Sequence, residues 1–200
     1  FIIKDIFFPS GTYNVGHIKL YNSDGPNNVY DGISLRGVGS SSIIKRSPAF
    51  INATDRFGSI GVMGAPSDRV SGITFSNLAF DGNKPETFAV RSPENDIYGI
   101  SSKYEDIIAL EHVDLLTIDN CSFYNAAGSA IYSVDSEKLN LTNNKIFQLS
   151  KPFAPNVPPV KIRETDKVIA HGNLFENCTG EADFTGIDVS IINNNIINNC

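Results

Sequence analysis

Residues 115–134, LLTIDNCSFYNAAGSAIYSV, alternate apolar and polar side chains, place an Asn where the alternation should continue, and then resume. KLNLTNNKIFQL, VIAHGNLFENC and SIINNNIINNC repeat the figure further along the chain. In register it reads apolar, any, Asn or Gly, any, any, apolar, any, Asn-like. Ile118-Asn120-Phe123-Asn125, Leu141-Asn143-Ile146-Gln148, Ala170-Gly172-Phe175-Asn177 and Ile191-Asn193-Ile196-Asn198 meet it. Upstream, Phe75-Asn77-Phe80-Gly82 fits and Leu35-Gly37 begins the same way. Successive Asn/Gly positions are 40, 43, 23, 29 and 21 residues apart, so the short intervals are one period and the long ones carry insertions.

A period in the low twenties built on strand signals means stacked coils. A leucine-rich repeat would need a Leu consensus that is absent. Asn and Gly suit a sharp corner between two strands because both tolerate left-handed backbone. Asn side chains stacked at equivalent corners can also hydrogen-bond along a ladder. After the second apolar position come a variable loop and a short strand, SAIYSV (129–134), PVKIR (159–163) or FTGIDV (184–189), then a tight turn such as DSE or ETD. Three strands per coil, each stacked on its equivalent, make an all-β, single-stranded parallel β-helix. Its six or so coils with inserted loops would form a rod on the order of 30 Å long. Almost nothing reads as an amphipathic helix.

Two hundred residues with 41% hydrophobic content can bury a core as one domain over 1–200. Both ends read as unfinished coils, so the chain is expected to be a fragment of a longer one. A net charge of −6 argues against a nucleic-acid partner. No apolar run reaches membrane-spanning length. Cys121, Cys178 and Cys200 read as buried thiols, with a Cys178–Cys200 bridge left open.

The opening residues add a resemblance. Phe8-Pro9-Ser10-Gly11-Thr12-Tyr13 and the Leu35-Arg36-Gly37-Val38-Gly39 corner, before a Ser-rich strand, resemble the first coils of the pectin-lyase-like superfamily. The resemblance implies a right-handed β-helix with substrates lying along one sheet. Its members, among them pectate and pectin lyases, polygalacturonases, mannuronan epimerases and bacteriophage tailspikes, mostly bind or cut long polysaccharides. Because the matching residues are turn and core residues, it speaks to fold rather than reaction. The Asn-Thr-Asp and Gly-His-Gly motifs of polygalacturonases and the Asp-Pro-His-Glu of the epimerases are absent.

Three insertions, 46–58, 81–106 and 148–158, leave after the same strand of their coils and could wall a groove over the neighbouring sheet. On that sheet, with Ile131, Val160, Ile162 and Ile187 inward, alternation turns Tyr132, Lys161, Arg163 and Asp188 outward. Lys161 and Asp188 are then expected on adjacent coils, with Tyr132 one coil before. Lys161, Arg163 and Asp188 are the catalytic candidates, since a cation beside a sugar carboxylate stabilises the charge of β-elimination. Tyr132 could stack on a sugar ring, and Glu164 or Asp183 could pair with Asp188 across a scissile bond. Glu94, Asp96, Glu105 and Asp106 are further carboxylates, and no spacing singles out a pair. A surface salt bridge beside an exposed aromatic accounts for the same residues. The three histidines do not cluster, and no zinc or phosphate-cradling pattern is present. No motif requires a cofactor. Pectate lyases hold calcium with carboxylates on this sheet, which keeps Ca2+ open, although their ligand set has no counterpart here.

Two classes of function follow. One is a polysaccharide lyase or glycoside hydrolase, of the phage tailspike or depolymerase type or a secreted uronate-active lyase or epimerase. The other is an adhesive spike of a virion or cell surface that binds glycan without cutting it. Either places the protein outside the cell or on a virion tail, and a tailspike would be a homotrimer.

Overall fold

A computed structural model of the protein describes residues 4–16, 18–21, 30–47, 60–83, 106–126, 128–147, 158–178 and 182–198. These residues form parallel sheets wound into three faces, with no helix among them. The first face stacks β3 (Ile18–Tyr21), β6 (Ile60–Met63), β9 (Ile108–Glu111) and the opening halves of β12 (Ile131–Thr142), β14 (Val160–His171) and β16 (Asp183–Asn193). The second stacks β1 (Asp5–Phe7), β4 (Ser34–Arg36), β7 (Ile73–Ser76), β10 (Leu115–Asp119) and the closing halves of those three long strands. The third stacks β2 (Gly11–Val15), β5 (Ser42–Arg46), β8 (Ala79–Asp81), β11 (Ser122–Tyr124), β13 (Lys145–Phe147), β15 (Leu174–Glu176) and β17 (Ile196–Asn198). The chain therefore passes six times over the first face and seven times over the others, the three-strand coil expected from the repeat.

Two corners of the later coils are tight, and both are made by left-handed residues. Between the second and third faces stand Asn77, Asn120, Asn143 and Asn194 (φ 50–55°) and Gly172 (φ 65°). They align through the hydrogen bonds from Asn120 N to Thr142 O, Asn143 N to His171 O and Gly172 N to Asn193 O. The sequence pattern placed Asn193 at this corner. The structure moves it back one residue, to stand opposite His171, and gives the corner to Asn194. The doubled Ile191-Ile192 and Ile196-Ile197 let the pattern fit in two frames, and a one-residue slip exchanges the faces of every side chain. In the observed frame Ile192 stands opposite Ala170 and Ile197 opposite Phe175, both in inward columns. At the start of the column Gly37 has no substitute, because a Cβ there would lie 2.5 Å from Asn77 O.

The amide ladder exists, one residue beyond the corner. Asn144 and Asn173, each 2% exposed, and half-buried Asn195 point inward. Asn144 Oδ1 accepts from Cys121 N while its Nδ2 donates to Ile118 O. Asn173 Oδ1 accepts from both Asn144 N and Asn144 Nδ2, and its Nδ2 donates to Leu141 O. Asn195 repeats the arrangement on Asn173 and Ala170. Buried backbone groups that a turn would leave unpaired are thereby satisfied. Corner amides themselves contribute rungs such as Asn120 Nδ2 to Asn77 Oδ1 at 2.7 Å.

The first-to-second corner is made by His112, Asp135 and Glu164 (φ 50–54°) and Gly186 (φ 66°). DSE and ETD are thus turns as expected, but FTGIDV is not one strand: it bends at Gly186, with Phe184 opposite Ile162 on the first face and Ile187 opposite Thr165 on the second. Inside, Phe75, Phe80 and Phe123 are fully buried. The Phe80 and Phe123 rings stack at 4.9 Å on neighbouring coils, the repeat of adjacent strands. Cys121 and Cys178 are buried, and burial pushes the Cys121 thiol up to about 12. Cys200, considered as a partner for Cys178, lies outside the described residues.

Candidate functional site

On the first face Ile131, Ser133, Val160 and Ile162 point inward and are buried. Alternation therefore sends Tyr132, Val134, Lys161 and Arg163 to the outside. The register sets Tyr132 opposite Lys161 and Lys161 opposite Asp183, with Val134, Arg163 and Thr185 in the parallel row. Lys161 Nζ stands 5.8 Å from the centre of the Tyr132 ring. Arg163 Nη2 is 3.3 Å from Asp183 Oδ2, and the Thr185 hydroxyl donates to Asp183 Oδ1. That hydroxyl bond holds the Asp183 carboxyl below its usual range, against a smaller effect of burial and with help from Arg163 and Lys161.

Three expectations are corrected. Asp188 does not stand beside Lys161, because the Gly186 bend carries it onto the second face, between Ile187 opposite Thr165 and Val189 opposite Lys167. Asp183 occupies the place assigned to Asp188. Tyr132 is outward but only 7% exposed, packed in a small apolar cluster with Met63, Ala109 and Val134, so its ring is not an open platform for a sugar. Glu164 sits on the bend itself, exposed, next to Arg163. Of the other carboxylates, Asp106 is buried and accepts from Ser129 N at 2.7 Å, a structural use. Glu94, Asp96, Glu105 and most of the three insertions lie outside the described residues, as does His17.

Sequence reasoning missed a second charged group. Arg69, from the connection between β6 and β7, reaches forward across two coils, with Nε 2.8 Å from Asp114 Oδ1 and Nη2 2.8 Å from Asp135 Oδ1. His112 Nδ1 lies 2.8 Å from the other Asp135 oxygen. A single Arg within PSDRVSG follows no periodic rule, so nothing in the sequence flagged it. Among the described residues no three His, Cys, Asp or Glu gather to hold a metal ion.

Residues 11–153 match the family described as the right-handed β-helix region. The chain belongs to that family. The winding implied by the opening coils is therefore the right-handed one. The β-helix also superimposes on a crystal structure described as a "putative glycosyl hydrolase" from Parabacteroides merdae. The TM-score is 0.63 at 17% identity, over 98% of this chain and 79% of that one, a likeness of fold. No curated protein matches the chain in sequence.

The first face of this β-helix thus presents two cations from one strand, two residues apart, with an ionised carboxylate on the next coil. Such a row can grip a carboxylate: the guanidinium supplies a planar fork and the ammonium a point charge. Asp183 is a poor general acid, because its proton is already lost near neutrality.

Proposed function

We propose that this β-helix engages an acidic polysaccharide along its first face and cleaves it by elimination. The observation that carries the reading is the Lys161–Asp183–Arg163 constellation, outward on the face and supported from within by buried Val160 and Ile162. Arg163, oriented by Asp183, neutralises the uronate carboxylate. Lys161, once it has given up its own proton to solvent, takes the proton beside that carboxylate. The C–H electron pair becomes the new double bond and the glycosidic C–O bond breaks with its pair on the leaving oxygen. Tyr132 holds the Lys161 stem in place rather than stacking on a sugar.

A second reading, a spike of the tailspike kind that binds a surface glycan without cutting it, is favoured by the closed Arg163–Asp183 pair, which already neutralises one cation. Both readings put the protein outside the cell or on a virion, and a tailspike of either kind would be a homotrimer. The test is a panel of acidic and neutral glycans, followed by absorbance of unsaturated uronates and by new reducing ends. Elimination by the wild type, falling about 100-fold in Lys161→Ala and in Arg163→Ala, is expected, with Asp188→Ala unchanged. Retained turnover in both cation variants removes the site. Binding without any new chain ends leaves the second reading standing.

A further inference from the structure

The outer surface of the third face carries a hollow that the first-face site does not use. Its outward row runs Ile43, Ala79, Ser122, Lys145, Leu174 across successive coils. Ile43 on the coil before and Lys145 and Leu174 on the two coils after are long side chains, but the two coils between carry a methyl and a hydroxymethyl. The surface is low there, and an open cleft of about 520 Å³ lies over Ala79 and Ser122. That volume falls within the ordinary range of small-molecule sites.

Three kinds of wall surround it. On one side the corner amides Asn120 and Asn143 project from the left-handed column. One N–H of each runs along that column, to Asn77 Oδ1 and Asp119 Oδ1, and an amide group has four hydrogen-bonding positions in all. The longer first corner adds Gly39 and Ser40, where later coils turn on an Asn and its successor. On the other side Tyr124 and Phe147 stack on neighbouring coils, ring centres 5.3 Å apart, with Lys145 Nζ 5.1 Å from the Phe147 ring. Burial, reinforced by Asp81, pushes the Tyr124 hydroxyl up, so it stays a protonated donor.

Hydroxyls, primary amides and a cation facing a pair of rings across a shallow floor match a ligand that is polar around its edge and apolar on its C–H faces. A nucleic acid would need a basic surface, and here Lys45 faces Asp81 at 3.8 Å and Lys145 faces Glu176 at 4.0 Å. We propose that this hollow is a second, non-catalytic saccharide site, taking one sugar unit of a glycan whose other segments meet the first face. The inference rests on the glycan reading above, but on different residues.

Ser122→Leu fills the floor with a side chain of the kind that Ile43 and Leu174 already carry in the same row, so the coil tolerates it. Lys145→Ala, an exposed change, is the second variant. Wild type, Ser122→Leu, Lys145→Ala and Lys161→Ala are titrated with a panel of mono- and oligosaccharides by saturation-transfer NMR and calorimetry, with elimination assayed in parallel. The expected result is that both third-face variants weaken binding about tenfold with elimination of short oligosaccharides unchanged, while Lys161→Ala keeps the third-face contacts to sugar. Ser122→Leu and Lys145→Ala that bind like wild type overturn the second site and leave the first intact. Loss of elimination in Lys161→Ala is read separately, so each site fails by its own measurement. A wild type that binds no saccharide overturns this site as well.

Discussion

At the corner between the second and third faces, Asn144, Asn173 and Asn195 tie the last four coils together through side-chain amides in the wall. At the corner between the first and second faces the same left-handed backbone recurs at His112, Asp135, Glu164 and Gly186, but the inward polar groups are hydroxyls that bond within their own coil. Ser133 meets Ser136 at 2.9 Å, and Thr165 Oγ1 donates to Arg163 O. Links between coils come there from outside, through Arg69. An amide holds its donor and acceptor apart and can serve two backbone groups of the neighbouring coil at once; these particular hydroxyls turn back on their own chain. One corner therefore fixes register from within, and the other is braced at its surface.

The largest expected break in that comparison is Asn173→Ala. It removes the acceptor for Asn144 N and the donor to Leu141 O in a buried place, and should cost about 3 kcal/mol in urea unfolding. A loss below about 1 kcal/mol would mean that the amide ladder does not hold the corner. Next comes a matched pair, Gly172→Ala and Gly186→Ala, one at each corner with nearly the same positive φ. Each should cost about 1–2 kcal/mol from left-handed strain. Gly172 should lose more, because its new Cβ falls 2.8 Å from Asn143 Oδ1 and turns a corner amide aside. Equal losses would put the whole cost in the backbone. Arg69→Ala is the smallest, about 1 kcal/mol for two partly exposed ion pairs. That loss should shrink further in high salt, and a salt-independent one would show that the brace works by packing.

The contrast also explains what could be read ahead of the structure. The Asn corner was legible at Asn77, Asn120, Asn143 and Gly172 because geometry and composition agree there: left-handed backbone selects Asn or Gly. It slipped at Asn193 only because runs of identical residues leave the frame undetermined, and the frame is settled by packing against Ala170 and Phe175. The other corner accepts His, Asp, Glu and Gly in turn, so no residue type announces it, and FTGIDV reads as unbroken strand across the Gly186 bend. That one error displaced the candidate site: Lys161 and Arg163 were read from alternation, but their carboxylate neighbour is Asp183 rather than Asp188. Burial of Tyr132 was equally hidden, since it depends on Met63 and Ala109 from other coils. The third-face hollow depends on two short side chains, Ala79 and Ser122, 43 residues apart in the chain, and no local pattern connects them.

The amide ladder has a direction. Every reaching side chain belongs to the later coil and completes its predecessor: Asn144 serves Ile118 and Cys121, Asn173 serves Leu141 and Asn144, and Asn195 serves Ala170 and Asn173. Where the ladder runs, a turn of the rod is thus finished by residues that leave the ribosome some two dozen positions afterwards, and the growing tip carries one open socket. Winding from the amino-terminal side is self-sealing, whereas winding in reverse would present plugs with nothing to enter.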